Sequence, residues 1–217
     1  MSKVIADDLS RDWTQPGETF RIVMCGRMRT VGARIAGQTR VPHPIPPDAP
    51  AVVETTMVTL EACDIATQGG FAGNEWVDDD SIGWWGEARQ AGQDAAKAVD
   101  AMSVCQGEAA IVLTDRRFAV IYPEHMLVST REAARAGRRK RGLFGRIQGV
   151  AAQWLDKHDY WMVKDKVISL WETDAHRVRG YGRVITGRGI PFAEVLRVDF
   201  VDGSTLFART APVDIIQ

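Results

Sequence analysis

Apolar and polar positions change their period several times along the chain, and each change marks an element. After the Pro16-Gly17 turn, Phe20, Ile22 and Met24 recur at every second position, which predicts a strand. Residues 41–50, VPHPIPPDAP, place five prolines in ten positions. Proline has no amide donor and fixes φ, so this stretch reads as an extended surface connection. The β-branched run AVVETTMVTLEAC predicts a further strand, and TQGGFAGNEWVDDDSIGWW, rich in Gly and Asp, predicts a loop. From Glu87 to Ser103 the period becomes helical. Ala88, Ala91, Ala95, Ala98, Val99 and Met102 share one face, shallow enough to pack closely on something flat.

The second half returns to strands. Ala109–Leu113 and Phe118–Tyr122 are apolar runs joined through Thr114, Asp115, Arg116 and Arg117, the pattern of two antiparallel strands and a tight connection. YWMVKDKVISLWE and RVRGYGRV predict further strands. In the last β-rich stretch Val195, Arg197, Asp199 and Val201 face one way and Leu196, Val198 and Phe200 the other. Asp202-Gly203 then turns the chain, and Thr205–Arg209 returns. A meander of short strands forming a small barrel or sandwich is the natural architecture.

Four short motifs occur in order along these strands: Pro16-Gly17-Glu18, Leu113-Thr114-Asp115-Arg116-Arg117, Leu170-Trp171-Glu172 and Phe200-Val201-Asp202-Gly203-Ser204. With them the chain resembles the bacterial PH-like (pleckstrin-homology, GRAM-related) domains of actinobacterial type, over residues 105–210 and a short piece near 15–28. The resemblance implies a mainly β, α+β fold: a partly open antiparallel barrel or sandwich that serves as a binding platform for lipid or protein, without catalysis. Such barrels are plugged by a helix after the last strand, whereas here only TAPVDIIQ follows. Another helix is therefore expected in that place, either Glu87–Ser103 or the segment starting at Leu143. The expected organisation is one domain over 15–210, with an inserted loop and helix region at about 30–104 and a basic helical insertion at about 131–157.

Net charge is −1 over 217 residues, and its distribution is more telling than its sum. Residues 131–146 hold seven basic side chains (Arg131, Arg135, Arg138, Arg139, Lys140, Arg141, Arg146) against Glu132, giving +6 and leaving −7 for the remainder. Directly after this cluster Leu143, Ile147, Val150, Ala151 and Trp154 form a helical stripe. Gly145 and Gly149 each weaken that helix by roughly 1 kcal/mol, so it needs a surface to lie on. The β-core is the first expected surface and an anionic bilayer the second, with Leu143 and Phe144 inserting beside the charges. Nucleic acid ranks last, because no aromatic–basic interleaving or reader motif accompanies the cluster. The candidate lipid- or partner-binding residues are thus Arg138, Arg139, Lys140, Arg141, Leu143, Phe144 and Arg146.

Composition adds limits. A hydrophobic fraction of 45% suits a globular core, and no apolar run approaches the ~18–20 residues of a membrane span. The polar, acidic start is unlike a secretory signal, so a cytoplasmic protein is expected, with the inner face of the cell membrane as an alternative station. Cys25, Cys63 and Cys105 have no close spacing and read as reduced, buried thiols. Asp78, Asp79 and Asp80 lack the spaced ligands of a calcium loop, and His43, His125, His158 and His176 lack a metal-binding spacing. Neither a GxSxG elbow nor a P-loop is present. The nearest acid/base sets are His158-Asp159 and Asp174 with His176. The expectation is a non-enzymatic adaptor or regulator working through protein contacts, with no cofactor or metal. A peripheral membrane protein and a cryptic hydrolase, built on a Cys–His pair met only in three dimensions, are the alternatives.

Overall fold

A computed structural model describes residues 9–25, 30–52, 75–105, 107–127, 166–188, 190 and 192–209. Within these residues the chain is mostly β. In chain order the strands are β1 (Phe20–Cys25), β2 (Thr30–Ile35), β3 (Gln38–Arg40), β4 (Ile82–Ala88), β5 (Ala110–Thr114), β6 (Arg117–Pro123), β7 (Val167–Asp174), β8 (Val178–Thr186), β9 (Ala193–Phe200) and β10 (Thr205–Arg209). Helix α1 (Asp94–Val104) stands between β4 and β5. One sheet has the order β1-β5-β6-β7 and the other the order β3-β2-β4-β10-β9-β8. The two remain separate sheets and do not close into a barrel. The chain steps from the edge of one to the edge of the other through Ala175–Arg177.

The inner faces of both sheets enclose α1. Ile22, Ile111, Phe118 and Val120 from the first sheet and Val31, Trp84, Leu196, Phe200 and Leu206 from the second join Ala95, Ala98, Val99 and Met102 of the helix in one buried cluster. The alanines let the helix lie flat, and Gly86 lets it lie close. A Cβ at Gly86 would meet Val99 Cγ1 at 2.7 Å and the Ala95 carbonyl at 3.2 Å. Helix α1, from the first of the two stretches expected to supply a helix, packs between two separate sheets; the stripe Leu143–Trp154 lies outside the described residues. Edge-to-face contacts of Phe118 with Phe200 (5.4 Å) and with Trp171 (6.1 Å) seal the region where the two sheets meet.

Each sheet also has a covered outer face. Leu9 and Trp13 lie over Val23, Val112, Ala119 and Ile121 of the first sheet. Over the second, the single turn Glu75–Asp78 lays Trp76 on Trp85, stacked at 5.5 Å with Val195 and Phe207 beside them.

Several expectations change at this point. The last four residues of the predicted loop, Ile82–Trp85, open the inner strand β4, whose Trp84 and Trp85 are buried against the inner and outer clusters respectively. Because both faces of β4 are covered, its sequence shows no polar alternation. The expected helix from Glu87 starts only at Asp94, since β4 runs on through Ala88. The pairing is not wholly antiparallel: β2 and β4 run parallel, with Ala33 opposite Gly86. The proline stretch is neither helix nor strand, as expected, but it bends at Val41-Pro42 and turns at Pro46–Ala49, and His43 within it is buried. Its Nε2 lies 2.6 Å from Asp100 Oδ1, which ties the segment to α1.

Candidate functional site

The four motifs are distant in sequence and meet at two places. The first is the end of the first sheet, where β5 turns into β6. Glu18, whose side chain is fully buried, accepts a hydrogen bond from Thr114 Oγ1 at 2.6 Å and pairs with Arg117 Nε at 3.0 Å. Arg117 also donates to Glu172 at 3.1 Å and to the Trp13 carbonyl at 2.9 Å, and its guanidinium lies 3.8 Å from the Trp13 ring centroid. Arg116 reaches Gln15 and the Pro16 carbonyl, and Asp115 accepts the Thr19 amide at 2.9 Å. Burial pushes the Glu18 carboxyl up, but hydrogen bonds from Thr114, the Gln15 amide and Arg117, with the positive charge of Arg117, outweigh it and hold the group below its usual value. Three motifs therefore form one clamp that fastens the N-terminal segment to the first sheet.

The fourth motif caps the helix. In the turn after β9, Gly203 takes φ +81°, which lets Asp202 and Ser204 face the start of α1. Asp202 Oδ2 accepts the Asp94 amide at 2.7 Å, and Ser204 Oγ accepts the Ala95 amide at 3.0 Å. These are helix N-terminal donors satisfied by residues over a hundred positions away. Arg177 closes the group, donating to Asp94 at 2.8 Å and approaching Asp202 at 3.4 Å. Burial raises the Asp202 carboxyl, and the bonds from Ser204 and the Asp94 amide outweigh that and lower it. All four motifs are thus occupied with internal contacts.

Exposed apolar groups collect elsewhere. In the β8–β9 ladder Tyr181 stands opposite Val198 and Arg183 opposite Leu196, and opposing residues share a face. Tyr181, Arg183 and Ile185 therefore continue the inner face of the second sheet past the edge of its core, while Arg179 falls at the irregularity of the ladder between Val178 and Gly180. Tyr181 is 43% exposed, Ile185 74%, and Ile190 and Phe192 in the connecting turn 95% and 62%. Arg183 pairs with Glu194 at 3.2 Å, and Arg179 stands 4.0 Å from Asp199. At the base of the turn Arg188 pairs with Glu75 while its amide is bonded to Asp78. This is the candidate contact face, and sequence reading passed over it. The signal was present in RVRGYGRV, where large residues alternate with glycine.

The basic segment Arg138, Arg139, Lys140, Arg141, Leu143, Phe144 and Arg146 lies outside the described residues, as do Cys63, His158 and Asp159. Asp174 and His176 are both exposed on the connection between the sheets. Cys25 and Cys105 are buried thiols, and burial pushes the Cys105 thiol far up, which leaves little nucleophilic thiolate. Asp79 is taken up by the amide and hydroxyl of Ser81, and Asp80 by Arg209. Among the described residues no group of His, Cys, Asp and Glu could hold a metal ion, and no helix is long and apolar enough to cross a membrane. No protein-family model, curated protein or solved structure matches this chain.

Proposed function

We propose that the chain is a non-catalytic PH-like binding module, an adaptor or regulator that works through protein contacts. The observation that carries this reading is the division of labour between its residues. The motif residues are spent on fastening the fold, while four of the six large apolar residues exposed among the described residues lie on β8 and in the turn after it. A domain that leaves Tyr181 and Ile185 on one strand and Ile190 and Phe192 in the turn after it exposed has a use for them as contact residues.

Site-specific photocross-linking in the producing cell tests it. A photoreactive phenylalanine analogue at Tyr181 is expected to give discrete protein adducts, and the same analogue at the exposed Arg11 none. Adducts from neither position, or lipid adducts alone, would contradict the reading.

A further inference from the structure

We draw no further inference here: the strongest candidate, the β8 edge of the second sheet with the turn after it that carries Ile190 and Phe192, belongs to the contact face already described, and nothing in the structure shows what covers it.

Discussion

Phe200 and Tyr181 sit on the same face of the same sheet, on adjacent strands, and meet opposite fates. Phe200 is enclosed by Phe118 and Trp171, with α1 in the same cluster; Tyr181, one strand farther out, is 43% exposed. The helix and the first sheet cover the inner face as far as β9 and Val178, the first residue of β8. What differs is the cover, not the strand chemistry. An apolar residue that the fold itself does not cover is available to something else.

Substitutions can break this contrast or sharpen it. The largest effect is expected for Phe200→Ala, which empties a sealed aromatic site and should cost about 3–5 kcal/mol in urea unfolding. Next is Arg117→Met at the motif clamp. It strands the buried carboxylate of Glu18, and a loss of roughly 2–4 kcal/mol is expected, reduced from a wholly buried pair because Arg117 keeps some exposure. Asp202→Ala removes a helix cap and a neighbour of Arg177, and about 1–2 kcal/mol should be lost. Tyr181→Ser is expected to change stability by no more than about 0.5 kcal/mol. If Tyr181→Ser costs as much as Phe200→Ala, the outer strand is covered after all and the contrast fails.

Acid sharpens the same comparison. The folded-state carboxyls of Glu18 and Asp202 are held low, so the stability they contribute is complete above the unfolded value of about 4. It disappears as pH falls through their folded values. Unfolding free energy should therefore decline below about pH 4, and Arg117→Met or Asp202→Ala should each flatten part of that decline. Tyr181→Ser should leave the profile unchanged.

Local signals carried much of the fold. The β5–β6 hairpin, the alternation of β9 and the Asp202-Gly203 turn are each written within a dozen residues, and each stands where the pattern places it; the shallow alanine face does so only from Asp94 onward. Long-range facts were not legible. Covered on both faces, β4 shows no alternation, and its parallel partner β2 is separated from it by some fifty residues. The motifs were visible as words, but their meaning lies in contacts such as Glu18 with Arg117, 99 positions apart. His43 was hidden by its proline surroundings, whose composition says nothing of a buried partner on α1. The basic run drew attention because charge clusters stand out in a sequence. An uncovered strand edge does not, since exposure depends on what fails to pack there. The basic run has its own check: binding to anionic vesicles at physiological salt, lost when Arg138, Arg139, Lys140 and Arg141 become Ser, would move the contact surface to that segment.

Hydrogen–deuterium exchange on the full chain tests most directly whether β8 is an open edge. The account predicts that alternate amides of Gly180–Thr186 exchange rapidly, while those of β4, β5 and β6 stay protected close to the level of global unfolding. Uniform protection along β8, equal to that of the central strands, would mean that the edge is already occupied and would contradict the account.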